Sequence, residues 1–293
     1  METSNQKNLI TVLGATGKVG SQVLNYLSEA QIPSRAITRD LAKAKELPFV
    51  EWIQGDINNK NELHTLLHGS NKLFLNSGVS PDMIQVQNNI IDVAREVGVE
   101  HIIKLSTPAA RPQSKDPVGE WHYQIQQHLQ NSGLTWNILQ PQSFMQNWLG
   151  DLARTIRSEK TIYSTAGNGK RAFTDTRDIG RVTVALFQNP NKWLNQIIPL
   201  SGNELVSFYD VAEAFSKALN QTITYVPQSQ EEARVRLKSS GVPDFMINIT
   251  LVIEFNQKTG VVEKLLNDNI NQIINSQPFT IYDFAKQYSQ AFK

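Results

Sequence analysis

Near its start the chain reads Ile10-Thr11-Val12-Leu13-Gly14-Ala15-Thr16-Gly17-Lys18-Val19-Gly20. An apolar, β-rich run ends at Gly14, glycines recur with the spacing G-x-x-G-x-x-G, and a helix-like pattern begins at once. Glycine suits a backbone that turns sharply, approaches a pyrophosphate closely and packs a helix against its strand. The amides at the helix start would receive the negative charge. The segment therefore predicts a dinucleotide-binding strand, turn and helix, a motif that gains weight from the alternating strands and helices behind it.

The pattern of strands and helices continues through the first half of the chain. It predicts an α/β fold with a Rossmann-like, doubly wound parallel sheet. We expect the NAD(P)-binding domain to span residues 1–150, with a return segment near 176–200. The strand Gln196–Leu200 would bring the chain back to the sheet.

The remaining residues, 151–175 and 201–293, are predicted to form a smaller, mostly helical domain on the substrate side. The segment 163–173 contains two glycines and is typical of a hairpin or an excursion. Asp178 is expected to cap the helix that follows it.

Composition limits the kind of partner that the chain can bind. Its 293 residues carry 28 Lys and Arg against 27 Asp and Glu, so no net field favours nucleic acid or an acidic membrane surface. We therefore expect a small-molecule substrate, without nucleic acid or membrane, and a monomer or homodimer. The absence of cysteine excludes thiol catalysis, disulfides and cysteine metal sites. A polar N-terminus and the lack of a long apolar run predict a soluble cytoplasmic protein.

The end of the second predicted strand bears on which dinucleotide is bound. An acidic side chain usually stands there in NAD-preferring folds, because it accepts hydrogen bonds from the ribose hydroxyl. Here Thr38 and Arg39 occupy the place, with Lys43 one turn further on. A guanidinium suits a 2′-phosphate, which predicts NADP, with NADPH preferred. NAD stays possible, because Arg39 could be a solvated charge and Asp40 could reach the ribose.

Three further strand ends carry polar or small residues where open α/β sheets bind ligands. Asp56 follows the third strand and could accept from the adenine amino group or cap its own turn. Ser77 and Gly78 follow the fourth strand and form a small-residue turn over which a cofactor could lie. Ser106 presents a hydroxyl after the fifth strand. These residues are predicted to line the cofactor site.

One histidine is a candidate for catalysis. The helix from Pro117 buries Trp121 and Ile125, and His122 lies about 100° around the helix from Trp121, at the edge of the buried face. It could therefore face a cleft, although a satisfied surface histidine is the alternative.

A second histidine pair does not indicate a metal. His64 and His68 are spaced i, i+4, but the glutamate of a zinc protease signature is missing between them. We expect both to face solvent and predict no metal site.

Residues beyond the sixth strand are candidates for a substrate pocket. Aromatic and polar groups there could line a pocket for a flat apolar molecule, and core packing is the alternative. The candidates are Gln140, Phe144, Asn147 and Trp148, with Phe245 on the helix after Gly241-Val242-Pro243. Pro141 and Phe144 are also expected beside the cofactor.

Several of these segments, taken together, resemble the NmrA-like family of atypical short-chain dehydrogenases. That family includes type-2 NAD(P)H quinone oxidoreductases and triphenylmethane reductase. The similarity covers nearly the whole chain. It rests on the glycine turn, Thr38-Arg39, Trp121-His122, Ser132-Gly133-Leu134-Thr135-Trp136 and Gln140-Pro141-Gln142-Ser143-Phe144-Met145-Gln146-Asn147.

The resemblance implies roles for particular residues. Arg39 corresponds to the NADP-phosphate contact, and His122 lies where isoflavone reductases have a catalytic lysine and triphenylmethane reductase has a histidine. Gln140 replaces an arginine of the family pattern, so any substrate charge that arginine carries is lost here. The pyrophosphate loop corresponds to Gly14, Thr16, Gly17, Lys18 and Val19, and the turn beside the cofactor corresponds to Ser77 and Gly78.

The Tyr-x-x-x-Lys pair of ordinary short-chain dehydrogenases is missing, because Gln127 stands in the lysine position after Tyr123. An amide cannot supply the charge that makes the phenol a base, so alcohol dehydrogenation and sugar epimerisation are disfavoured. We predict an NADPH-dependent reductase of quinones or other electron-poor aromatic or carbonyl compounds. His122 would hydrogen-bond to or protonate the developing oxyanion.

Two alternative functions stay open. One is a non-catalytic NADP(H)-binding sensor or regulator of the NmrA type, which the loss of the Tyr/Lys pair fits equally well. The other is a reductase of one specific biosynthetic carbonyl or imine, since the sequence does not define the shape of the pocket.

Overall fold

The computed structural model describes residues 8–114 and 116–293. It divides into two compact units. The first unit comprises the described residues up to Pro141 together with Thr176–Leu200, and the second comprises Gln142–Asp175 and Ser201–Lys293. The first boundary therefore follows Pro141 rather than residue 150. The reason is that the residues just after Pro141 pack into the core of the second unit, as Met145 does.

Nine strands lie within the described residues. They are β1 (Ile10–Val12), β2 (Ser34–Thr38), β3 (Val50–Gln54), β4 (Lys72–Leu75), β5 (His101–Leu105), β6 (Thr135–Pro141), β7 (Thr161–Ser164), β8 (Gln196–Leu200) and β9 (Thr224–Pro227). Seven of them form one sheet in the order β3-β2-β1-β4-β5-β6-β8, with parallel pairing throughout. The strand order reverses at β1, which is the doubly wound topology predicted from the sequence.

The helices of the described ranges are α1 (Gly20–Glu29), α2 (Lys60–Leu67), α3 (Met83–Glu96), α4 (Pro117–Gln130), α5 (Asp151–Glu159), α6 (Thr176–Gln188), α7 (Phe208–Leu219), α8 (Gln230–Ser239), α9 (Asp244–Lys258), α10 (Asn269–Ile274) and α11 (Ile281–Gln287). Short 3₁₀ turns include Leu41–Lys43 and Met145–Leu149. Across these described helices, none has both the length and the apolar character that a bilayer crossing requires.

The core of the first unit lies between the sheet and its helices. Parallel strands are covered on both faces, so their residues are apolar almost without interruption. In β4, for example, Leu73, Phe74 and Leu75 have no exposed surface. Helix α3 packs against this core through residues at helical spacing, including Met83 and Ile90.

The second unit has an aromatic core. For the segment 163–173 the structure favours the excursion over the hairpin, because β7, which contains its first residues, pairs in parallel with the distant strand β9. This pairing depends on where the chain turns in space, which local propensity does not determine.

In the first unit, Asp178 lies in the first turn of α6, which begins at Thr176.

Candidate cofactor and active site

The turn after β1 requires glycine at two positions. Gly14 has φ +66°, and a Cβ there would lie 2.7 Å from Asn76 Nδ2. A Cβ on Gly20 would lie 2.2 Å from the Gly14 carbonyl oxygen. Any larger side chain would push the backbone of the turn apart, so the glycine spacing is a packing requirement of this turn.

The start of α1 faces outward from this turn. No side chain caps the helix at Val19, while Thr16, Gly17 and Lys18 are exposed. A helix N-terminus carries a partial positive charge and backbone amides that suit an anion. The donor set and the glycine cradle therefore fit a pyrophosphate group.

Arg39 and Asp40 follow β2 and have different surroundings. The Arg39 side chain is exposed and makes no hydrogen bond or ion pair with another described residue. The Asp40 carboxylate instead accepts from the Ala42 amide at 3.0 Å and lies 3.8 Å from Lys43 Nζ. The acid that could have bound a ribose hydroxyl is thus engaged locally, whereas the guanidinium remains available to a phosphate.

The residues that follow β3 and β4 differ in whether they already contact other protein groups. Asp56 accepts from the amide and the side chain of Asn58 at 3.0 and 2.9 Å, which is the turn-capping alternative of the sequence analysis. Ser77 Oγ accepts from Gln87 Nε2 at 2.8 Å, so the buried Gln87 holds the serine in place. Gly78 is exposed, and a Cβ there would meet nothing within 4 Å.

Lys104 is the functional candidate that the sequence analysis missed. Its side chain has no exposed surface. Its Nζ donates to the carbonyl oxygen of Leu105 at 3.0 Å and lies 2.9 Å from His122 Nδ1. The sequence contained one indication of this role, because Lys104 is the only lysine in the strand His101–Leu105, all of whose residues are buried.

Burial changes the protonation of both partners. It lowers the pKa of Lys104 to about 7 because the ammonium has lost its hydration. Burial, followed by the Lys104 charge, lowers the pKa of His122 well below its usual value of 6.5. The half-buried imidazole is therefore neutral at neutral pH, and the predicted protonation by a His122 imidazolium is disfavoured. Its ability to donate a hydrogen bond is retained.

A second polar contact, next to the contact between Lys104 and His122, joins the residue after β5 to α4. Gln126 Nε2 donates to Ser106 Oγ at 2.5 Å, and both residues are buried. Ser106 lies two residues after Lys104, and Gln126 lies four residues after His122. Residues two apart share one face of a strand, and residues four apart share one face of a helix. Both contacts therefore lie on the same side of β5 and on the same face of α4, and we call this line of contacts the seam.

The substrate-pocket candidates at the end of β6 and after it are divided between the two units. Gln140 is half-buried and Pro141 is buried in β6, opposite residues of β8. Phe144 is half-buried and Asn147 exposed in the second unit. Trp148 is 6% exposed and packs in the core of the second unit, which is the core-packing alternative of the sequence analysis. Its ring lies 4.7 Å from that of Phe173 and 5.6 Å from that of Phe284.

Phe245 lies on an outward apolar face of α9. It is 50% exposed, Met246 is 47% exposed and Val252 is 54% exposed. The buried Arg171 donates to the Ile253 carbonyl oxygen of this helix at 2.8 Å. Helix α9 is thus hydrogen-bonded to a distant segment of the second unit and presents apolar side chains to solvent.

His64 in α2 and His68 at its end are both exposed, as their pattern predicts. His64 Nε2 lies 2.8 Å from Glu96 Oε2 on the surface, and His68 ends the helix. Within residues 8–114 and 116–293, no cluster of three metal-ligating side chains is present.

The sheet topology and the glycine turn define a Rossmann-like α/β protein of the nucleotide-binding class. The chain belongs to the NmrA-like family, which matches residues 6–290. Among curated relatives, the NAD(P)H azoreductase of Xenophilus azovorans is 33% identical over 290 residues, which cover 97% of this chain and 99% of the relative.

Two solved structures illustrate the likeness in fold. The Citrobacter sp. triphenylmethane reductase complexed with NADP(H) is 24% identical, with a TM-score of 0.83 and coverage of 95% of this chain and 99% of the other. The Escherichia coli quinone oxidoreductase QOR2 complexed with NADPH is 22% identical, with a TM-score of 0.82 and coverage of 96% and 99%.

Proposed function

We propose that this protein is an NAD(P)H-dependent reductase that prefers NADPH and acts on extended, electron-poor aromatic acceptors. The observation that carries the cofactor preference is the exposed Arg39 guanidinium, which has no hydrogen-bond or ion-pair partner among the described residues. The neighbouring acid Asp40 is already engaged in its own turn. Reductase activity is supported by the azoreductase relative. The bound dinucleotide supplies the hydride that the protein itself lacks.

The proposed cofactor contacts follow from the positions described above. The turn and the α1 start would hold the pyrophosphate, and Arg39 with Lys43 would hold the 2′-phosphate. Asp56 would lie near the adenine. The complete proposed set is Gly14, Thr16, Gly17, Lys18, Val19, Arg39, Lys43, Asp56, Ser77, Gly78, Ser106, Pro141 and Phe144.

His122 is the proposed catalytic residue, acting as a neutral hydrogen-bond donor to the oxygen or nitrogen that gains charge. Helix α4 contains no lysine or arginine beside Tyr123, because Gln127 stands one turn after it. The Gln127 amide Nε2 donates to Gln130 Oε1 at 2.8 Å. The site therefore lacks the strongly activated phenol that alcohol and carbonyl chemistry uses. Quinones and azo compounds need less acid assistance, because their reduced forms delocalise charge.

We further propose that the apolar face of α9 contacts the rings of the acceptor, with Phe245 as its first residue. The exposed apolar side chains of α9 include Met246 and Val252. Arg171 donates a hydrogen bond to the backbone of this helix. A flat aromatic molecule loses water-exposed surface on such a face without desolvating an ion. Gln140 and Asn147 stay candidates for polar contacts to the substrate.

The test is consumption of NADPH by the purified protein. We expect oxidation with a naphthoquinone or an aryl azo dye, slower oxidation with NADH, and none with an aliphatic alcohol and NADP. Intrinsic tryptophan fluorescence measures binding of both dinucleotides in parallel. Binding without consumption across a broad panel of quinones, azo compounds, carbonyls and imines would overturn the reductase and favour the sensor alternative.

A further inference from the structure

Lys104 occupies an unusual place for a lysine. It pairs with Leu75 of β4 and with Ile138 of β6, in the interior of the sheet. Its neighbours Ile103 and Leu105 are buried as well. Removing an ammonium from water costs several kcal/mol unless its hydrogen bonds are replaced. Within the described residues no carboxylate pairs with Lys104, and its hydrogen bonds go to Leu105 and His122.

The contact to His122 has a consequence for the imidazole. An ammonium is only a donor, so the ring nitrogen that faces Lys104 Nζ must present its lone pair. That nitrogen is Nδ1. A neutral imidazole with an unprotonated Nδ1 carries its hydrogen on Nε2. Lys104 thus selects the tautomer in which Nε2 is the donor, on the side of the ring away from the lysine.

We propose that Lys104 is a positioning residue that selects the Nε2–H tautomer of His122 and passes a proton to Nδ1 as Nε2 gives its own to the substrate. This inference rests on the proposed reductase function. It adds the source of the proton, which His122 alone does not provide.

The proposed step balances in atoms and charge. The acceptor gains one hydride, which carries two electrons, and one proton. A quinone thereby becomes a hydroquinone, and an azo group becomes a hydrazine. The proton leaves His122 Nε2 while Nδ1 takes one from the Lys104 ammonium, so the imidazole stays neutral and Lys104 becomes an amine. Water then returns a proton to Nε2, and Nδ1 passes its proton back to Lys104.

The pKa values of the pair depend on burial and on the Lys104 charge. Burial alone accounts for the lowered pKa of Lys104, and burial followed by the Lys104 charge accounts for that of His122. Ser106 and Gln126, the next contact along the seam, are uncharged. Since the relay needs the ammonium, turnover should fall as pH rises through about 7.

The direct test is ¹⁵N NMR of the histidine rings in the intact protein without substrate. We expect an unprotonated Nδ1 and a protonated Nε2 for the signals that disappear in His122→Gln. Raising the pH through 7 should move the Nδ1 signal as Lys104 loses its charge. A protonated Nδ1 in the wild-type protein, or an Nδ1 signal that ignores this titration, would overturn the proposal whether or not any acceptor is reduced.

The kinetic test compares Lys104→Met with Gln126→Leu. Both variants remove a polar contact between β5 and α4, so a merely structural role predicts similar effects. We expect Lys104→Met to lower kcat about 100-fold, since proton transfer by a positioned group is worth about 10²–10⁴, and to lose the basic limb near pH 7. NADPH affinity should stay within about twofold. Gln126→Leu should keep the basic limb.

The outcomes of the two tests separate the claims. A basic limb that persists in folded Lys104→Met contradicts the relay. Failure of the wild-type protein to reduce any acceptor contradicts the reductase, while the NMR result still decides the tautomer. If Lys104→Met does not fold, the wild-type pH titration of Nδ1 provides the decision.

Discussion

Lys104 Nζ lies 2.9 Å from His122 Nδ1, which joins a strand in the middle of the sheet to the helix that carries the candidate catalytic residue. The two residues lie 18 positions apart in the chain. Burial is the main reason that the imidazole is neutral, and the contact with Lys104 adds to it and makes the outer nitrogen the donor. The buried lysine and the half-buried imidazole share one hydrogen bond, and the pKa of each lies below its ordinary value.

Arg39→Ala should weaken NADPH binding about 10- to 100-fold, because a charge-assisted hydrogen bond contributes roughly 1.5–3 kcal/mol. NADH binding should change little, since NADH lacks the 2′-phosphate. Fluorescence titration with both dinucleotides measures the difference. Arg95→Ala removes an exposed arginine at the end of α3 and serves as the control. Equal losses for both dinucleotides would contradict the role assigned to Arg39.

Gly20→Ala should destabilise the protein, whereas Gly78→Ala should leave its stability nearly unchanged. The new methyl at position 20 would lie 2.2 Å from the Gly14 carbonyl oxygen, whereas at position 78 it would meet no atom within 4 Å. We expect Gly20→Ala to lower Tm and Gly78→Ala to leave stability within about 0.5 kcal/mol. If the cofactor crosses Gly78, the second variant should still bind NADPH more weakly. Unchanged NADPH affinity in Gly78→Ala would remove that residue from the proposed site.

His101 should make the protein less stable in acid. It is 5% exposed, and burial lowers its pKa from 6.5 to about 4. The unfolded chain therefore binds a proton at a higher pH than the folded chain, and stability falls as pH drops from about 6.5 to 4. A difference of about 2.5 pKa units corresponds to roughly 3 kcal/mol. Urea unfolding at several pH values measures this loss.

His101→Gln should flatten that acid dependence, because the substituted side chain does not titrate. His64→Gln is the control, since His64 lies on the surface beside Glu96. An acid dependence that is identical in wild type and His101→Gln would show that other groups cause it.

Trp148→Ala and Phe245→Ala should differ in unfolding free energy, because the first removes a core side chain and the second an exposed one. Trp148 packs among aromatic rings of the second unit, so its truncation should cost about 3–5 kcal/mol of unfolding free energy. Phe245 is 50% exposed, so its truncation should change stability by less than about 0.5 kcal/mol. KM for an aromatic acceptor should nevertheless rise several-fold in Phe245→Ala. An unchanged KM would exclude this residue from the substrate surface.

Much of the fold could be predicted because it depends on local patterns. The glycine turn, the parallel strands and the amphipathic helices α1, α3 and α4 follow from spacing within single segments. The capping of α7 by Ser207 is another local pattern, since its hydroxyl accepts from the Asp210 amide three residues on. The roles of the predicted cofactor residues stay predictions, as do the cytoplasmic location and the oligomeric state.

The sequence left alternatives open where distant segments meet. For Trp148 both a pocket and core packing were possible, and its ring is covered by aromatic residues from α7 and α11. The segment 163–173 could be a hairpin or an excursion, and β7 pairs with β9, whose residues lie about sixty positions later. His122 was placed correctly on the edge of α4, but its protonation depends on Lys104.

The sequence by itself determined the strand, turn and helix at Ile10–Gly20, because backbone conformation and amphipathic spacing act over a few residues. It also determined that the first residue after β2 is Arg39, with the acid Asp40 one residue later. The tertiary structure alone decided which polar groups are engaged, as with Asp40 on its own turn and Lys104 on His122. Burial and hydrogen bonding depend on which segments pack together, and these two effects control where protons reside.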